Sequence, residues 1–175
     1  ILRSTDTLPQ NILCLTFTNS AVAAMKERYG WKDGDEVLVP AVTFVASLNV
    51  ILQNNLRPVL VDIESEYYSM DIFAHFATNG RRVVAAMPVH LFGQPTMLSS
   101  PVFKIITDSC ETVGVPGCSD GDVYCFSTYA CHPINTGVGG LATTDDPELA
   151  MLIRSLANHG RDGIYTGIDD ELGKI

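Results

Sequence analysis

Apolar and polar positions along the chain follow two alternating patterns. Short unbroken apolar runs read as buried strands: "NILCLTF" (11–17), "DEVLVP" (35–40), "RPVLVDI" (57–63), "RRVVAAMPVH" (81–90), "FKIITD" (103–108) and "DVYCFS" (122–127). The last three each run into a polar residue at the C-terminal end, whereas Pro40 closes the second. Between them, "AVAAMKERYG" (21–30), "TFVASLNVILQNN" (43–55) and "PELAMLIRSLANHG" (147–160) space their apolar residues for one face of a helix. Gly30 and Gly160 are stop signals, and Pro147 suits the first helical turn. The alternation predicts an α/β domain, a mostly parallel sheet covered by helices.

Open sheets of this kind bind ligands beyond the carboxyl ends of their strands. Those ends carry Thr18-Asn19-Ser20, Asp62, His90, Asp108 and Ser127. Polar strand ends are also ordinary loop chemistry, so individual residues have to be weighed.

Composition narrows the class. With 175 residues, 46% of them hydrophobic, the chain has core enough for one domain spanning 1–175. A net charge of −9 argues against nucleic acid or an anionic membrane as partner. The longest apolar stretch, Val37 to Leu52, contains Pro40, Thr43, Ser47 and Asn49 and reads as strand plus helix, not a membrane span. Cysteines 14, 110, 118, 125 and 131 are odd in number and form no CxxC pair; with no leader pattern, the expectation is a reduced, cytoplasmic protein. The chain stops at "DDELGKI" without closing a unit, as a fragment of a longer protein would.

Four local features bear on chemistry. "TFTNSAVAAM" reads as strand, polar turn and helix; the free N–H groups at that helix start suit a phosphate, and Asn19 and Ser20 also suit plain capping. Asp108, at a strand tip, could pair with a protonated ring nitrogen or cap a helix over "SCETVG". Phe44 could offer a flat face to a ring or fill core. His132 stands at the tip of the turn in "CFSTYACHPINTGVGG", five residues after Ser127. Cys125, Cys131 and His132 fit no usual zinc spacing, and Ser127, His132 and Asp108 lack a nucleophile elbow.

In order, "GDEVLVPAVTFVASLNVILQNNLRPVLVDIE", "PVHLFGQP", "DSCETVG", "GDVYCFSTY", "GVGGLATT" and "RSLANHGRDG" resemble the DegT/DnrJ/EryC1/StrS sugar aminotransferase family over roughly Leu13 to Gly163. The resemblance implies a type I aminotransferase-like large domain with the small C-terminal domain missing, and pyridoxal or pyridoxamine 5′-phosphate as cofactor. It implies that Asn19, Ser20 and Ser127 bind the cofactor phosphate and that Phe44 stacks on its ring. Asp108 would pair with the pyridine nitrogen, and Glu111 would lie near the phenolic oxygen. A nucleotide-sugar substrate, an amino donor such as glutamate and a homodimer are implied as partners.

Family aminotransferases carry their cofactor-binding lysine where this chain has His132. Imidazole cannot form that covalent tether, and Lys26, Lys32, Lys104 and Lys174, the only lysines, all lie elsewhere. Imidazole can still exchange a proton near neutral pH. This substitution and the wording "DSCETVG" resemble the NDP-4-keto-6-deoxyhexose 3-dehydratase subgroup. "HGRDGIYTGIDDELG" has no cysteine, which is similar to its cluster-free, GDP-sugar branch. The implied activity is loss of the C3 hydroxyl with His132 as acid and base; amino transfer, or a non-catalytic relative, are the alternatives. His90 is a further candidate for the cofactor or sugar side, or for shaping its turn, and His159 and Arg161 for substrate contacts or helix capping.

Overall fold

A computed structural model describes residues 12–14, 18–71, 82–96, 98, 100–115 and 121–158. Along the chain come β1 (Ile12–Cys14), α1 (Thr18–Tyr29), β2 (Glu36–Pro40), α2 (Val45–Gln53), β3 (Arg57–Val61), β4 (Val83–Ala86), β5 (Lys104–Asp108), β6 (Val123–Ser127), β7 (Gly140–Thr143) and α3 (Pro147–Ala157). The strands form one sheet in the order β1-β7-β6-β5-β4-β2-β3. β3, β2, β4, β5 and β6 pair in parallel, and β7 pairs antiparallel with both β6 and β1. The expected mostly parallel sheet is therefore present, with one reversed strand.

Side-chain alternation sends neighbouring residues to opposite faces. Val37, Val39, Ala85, Met87 and Ile106 pack with Ala21, Val22, Met25, Val50, Ile51, Leu149 and Ile153 of the three helices. Leu38, Ala86 and Ile105 face the other way and pack with Met70, Leu98 and Phe103, which come from irregular segments. The described helices thus cover one face, whereas the sequence pattern predicted only that helices cover the sheet. β2 is buried along its whole length, as expected of an unbroken apolar run between two neighbours. Its Glu36 is also buried and faces Arg57 Nη1 at 3.4 Å. β3 is an edge strand, which is where Pro58, with no N–H to donate, can be accommodated.

α3 starts as its sequence predicts. Asp146 is the N-cap, its Oδ1 accepting from the Glu148 and Leu149 amides at 2.9 and 3.1 Å, with Pro147 following it. Partial burial pushes the Asp146 carboxyl up, but those amides and the nearby Arg28 outweigh it and hold it below the usual carboxylate range. Replacing Asp146 with alanine should cost about 1 kcal/mol. Thermal unfolding should then show a midpoint lower by about 2–4 °C, with no change in ligand binding.

Candidate active site

The carboxyl ends of β2, β4, β5 and β6 and the start of β7 share one edge of the sheet. The segments that leave this edge carry most of the predicted site.

Asp108 ends β5. Its Oδ1 accepts from the Cys110 amide at 3.3 Å, and its Oδ2 accepts from Ser47 Oγ at 3.2 Å. No helix follows: residues 109–115 are turns, so the alternative of a helix cap over "SCETVG" is overturned. Burial, and then the Asp108 charge, push the Cys110 thiol well above its ordinary range, so it keeps its proton and presents a donor to the carboxylate. His90 lies under the same strand tip and is 1% exposed. Its amide donates to Asp108 O at 2.9 Å, and its Nδ1 meets Thr112 Oγ1 at 2.8 Å and Ser109 Oγ at 3.2 Å. Burial lowers the His90 pKa against the opposing pull of Asp108, which favours a neutral ring shaping the turn.

Phe44 sits at the N-cap of α2 in extended backbone, makes no side-chain cap, and is 73% exposed. An N-cap serine or aspartate there would stabilise α2 by about 1 kcal/mol, so Phe44 serves neither the helix nor the core. That leaves its face free for a flat ring.

The first turn of α1 departs from expectation. The helix begins at Thr18, so Asn19 and Ser20 lie inside it rather than in a preceding turn, and neither is its N-cap. Asn19 Oδ1 accepts from Asn54 Nδ2 at 2.8 Å, tying α1 to the end of α2. The early amides of a helix have no intrahelical acceptor, so this terminus can still bind an anion.

Ser127 ends β6, and its Oγ accepts from the Tyr129 amide at 3.1 Å. The connection from β6 to β7 is held internally. The Thr128 amide donates to Gly139 O and the Thr136 amide to Thr128 O, each at 2.9 Å, and the two threonine hydroxyls meet at 2.7 Å. Gly139 has φ +150°, and a Cβ there would lie 2.8 Å from Thr128 Oγ1, so this approach requires glycine. At the loop tip the His132 amide donates to Tyr129 O at 2.9 Å. His132 is half-buried, and its Nδ1 is buried with no hydrogen-bond partner among the described residues.

His132 lines an open cavity of about 370 Å³ with Phe92, Gly93, Glu111, Cys131 and Pro133. The fold thus brings His132 and Glu111 together. Asp108, Phe44, Ser127, Asn19 and Ser20 are not among the residues lining that cavity; they stand along the same sheet edge. Glu111 Oε2 accepts from the Phe92 amide, bridging two walls of the cavity. Phe92 has φ +56° and is 78% exposed, an unfavourable conformation and environment for a bulky apolar residue. Tyr68, at φ +58°, meets the Phe92 ring edge-on at 6.3 Å. The Tyr68 loop is pinned by Glu64, whose carboxylate accepts from the amides of Glu66, Tyr67 and Ser69. Those bonds hold it far below the usual range, at about 2.

Sequence reasoning missed Ser47, Thr43 and the Tyr68–Phe92 pair. Ser47 left a signal, because it shares a helix face with Val50 and Ile51 and is a polar residue in an apolar stripe. Tyr68 and Phe92 left none, since their contact depends on two left-handed residues far apart in sequence. His159 and Arg161 lie outside the described residues.

The DegT/DnrJ/EryC1/StrS aminotransferase family pattern matches residues 10–169. The chain belongs to that family. A DegT-family relative from Acidithiobacillus ferrooxidans, UDP-N-acetyl-3-dehydro-alpha-D-glucosamine 3-aminotransferase, is 34% identical over 73% of this chain and 38% of its own. A second, the dTDP-4-dehydro-2,6-dideoxy-D-glucose 3-dehydratase of Saccharopolyspora spinosa, is 33% identical over 75% of this chain and 31% of its own. Among solved structures, Spr1654 of Streptococcus pneumoniae, described as a sugar aminotransferase, in its PLP form superposes with TM-score 0.72 at 26% identity. The match covers 88% of this chain and 48% of that one. The chain therefore spans under half the length of these relatives. Both aminotransferases and a dehydratase occur among the DegT-family relatives.

The donor set suits a pyridine coenzyme. A strand-tip carboxylate, an uncommitted exposed aromatic, a helix N-terminus, a strand-end serine and an imidazole with an orphaned nitrogen stand along one edge. Among the described residues no helix is long and apolar enough to cross a membrane.

Proposed function

We propose that this chain is the cofactor-binding large domain of a cytoplasmic, homodimeric dehydratase that removes the C3 hydroxyl of a nucleotide-linked 4-keto-6-deoxyhexose. One observation carries the reading: His132, which the sequence resemblance sets at the position of the family's lysine, lines a cavity together with Glu111. A protein built for lasting covalent attachment needs an amine there.

Each residue then has a task. Asn19 and Ser20, with the first amides of α1, and Ser127 hold the cofactor phosphate. Phe44 covers one face of the ring, Asp108 holds the proton on the ring nitrogen, and Glu111 stands near the phenolic oxygen. When bound as pyridoxamine phosphate, the cofactor supplies an amine that joins the sugar's ketone and a ring that withdraws electrons. With that group bound, His132 would be placed to accept a proton at the reacting carbon and to return one to the departing C3 hydroxyl. Water would then release the keto sugar, the nitrogen leaving as ammonia and the cofactor in its aldehyde form, and an amino donor such as glutamate would restore the amine form. The buried Nδ1 of His132 has no hydrogen-bond partner among the described residues, so none of them fixes the tautomer of the ring.

Incubating the purified protein with pyridoxamine phosphate and a nucleotide-linked 4-keto-6-deoxyhexose tests this. Mass spectrometry should show a sugar lacking the C3 oxygen, and borohydride should leave no cofactor attached to the protein. A product that keeps this oxygen and gains an amino group would establish the aminotransferase reading instead. Failure to bind either cofactor form would make the chain a non-catalytic relative.

A further inference from the structure

Ser47 is buried, 2% exposed, on the face of α2 that packs against the sheet, beside Val50 and Ile51. Alanine would serve that face better as helix former and as packing, so a serine there has to be explained by its hydroxyl. The hydroxyl is fully used. It donates to Asp108 Oδ2 at 3.2 Å and accepts from Thr43 Oγ1 at 3.0 Å. Thr43 precedes Phe44, and the Ser47 amide donates back to Phe44 O at 3.1 Å. A chain of donors, Thr43 to Ser47 to Asp108, thus runs from the loop bearing the exposed aromatic to the carboxylate at the tip of β5. The other Asp108 oxygen is held by the Cys110 amide.

We propose that Ser47 is a positioning residue that sets the orientation of the Asp108 carboxylate and couples it to the Phe44 loop, with Thr43 as the outer link. The inference rests on the proposed cofactor site and adds to it a reason why its two ring contacts keep a fixed mutual geometry. Phe44 has to lie flat against a ring while Asp108 lies in the plane of that ring. The two come from β5 and from the segment after β2, which are not neighbours in the sheet. Holding both to one buried hydroxyl removes a rotation of the carboxylate that would spoil the second contact. A hydroxyl that accepts one bond while donating another is also polarised into a stronger donor.

The test compares the parent protein with Ser47→Ala and Thr43→Val. Pyridoxamine phosphate is titrated by its fluorescence, and the ring nitrogen is followed by NMR with ¹⁵N-labelled cofactor. Ser47→Ala should bind about tenfold more weakly and shift the ring-nitrogen signal, because one bond to a charged group is lost. Thr43→Val should move both readings the same way by a smaller factor, about threefold, since it removes only the outer donor. Parent affinity in Ser47→Ala, or weaker binding with the nitrogen signal unmoved, overturns the inference and leaves the cofactor site standing. If the parent itself fails to bind pyridoxamine phosphate, the site reading falls and this inference falls with it.

Discussion

Replacing His132 with lysine should turn a reversibly held cofactor into a covalently attached one. Pyridoxal phosphate added to His132→Lys and reduced with borohydride should remain on the protein through denaturation, with the added mass located on the peptide containing residue 132. The parent, treated identically, should lose it. The loop from Thr128 to Gly139 is held by backbone and threonine bonds that do not involve the residue 132 side chain, so the exchange leaves the loop in place. The imidazole is half-buried at the wall of an open cavity, so a longer side chain can extend without displacing core. Removal of the C3 hydroxyl should fall by about 10²–10⁴-fold, the ordinary contribution of one acid–base group. His132→Asn, which keeps a polar side chain but no acid or base, should lose the reaction equally without gaining the attachment. A variant lysine that never reacts with the aldehyde would show that residue 132 does not face the reactive carbon, and the dehydratase reading would lose its foundation.

The strands were legible because unbroken apolar runs permit little else. β2 through β6 fall inside the segments with that pattern, and apolar residues spaced along one helical face located α2 and α3. The start of α1 was misread for a local reason. Thr18, Asn19 and Ser20 all favour capping by propensity, yet the helix already includes them. "SCETVG" misled in the opposite sense, because an aspartate before a serine promises a cap where the chain only turns. At the site, the residues that reach into solvent or ligand space could be named from the sequence, whereas those that hold them could not. Asp108 could be named, but its partner Ser47 belongs to another element, and only folding brings the two together. The pairing of His132 with Glu111 is likewise a product of the sheet order, which places the ends of β5 and β6 side by side.

Changing Asp108 to asparagine should be nearly as damaging to chemistry and almost silent for folding. Its backbone contacts, the amide to Pro88 O and the carbonyl from the His90 amide, are independent of the side chain. Asparagine has the same shape, and its oxygen can still accept from Ser47 or from the Cys110 amide. Thermal unfolding should therefore stay close to the parent. What disappears is the negative charge that would hold a proton on a pyridine nitrogen. Removing one member of a desolvated charge pair costs about 3–5 kcal/mol. That corresponds to a loss of about 10²–10⁴-fold, divided between cofactor affinity and rate. The ring-nitrogen NMR signal should move further than in Ser47→Ala, because the charge itself is gone rather than one of its donors. Ser47→Ala combined with Asp108→Asn should then be little worse than Asp108→Asn alone, since a positioning residue has nothing left to position. Full additivity of the two losses would separate Ser47 from Asp108, and unchanged cofactor binding in Asp108→Asn would remove the carboxylate from the site altogether.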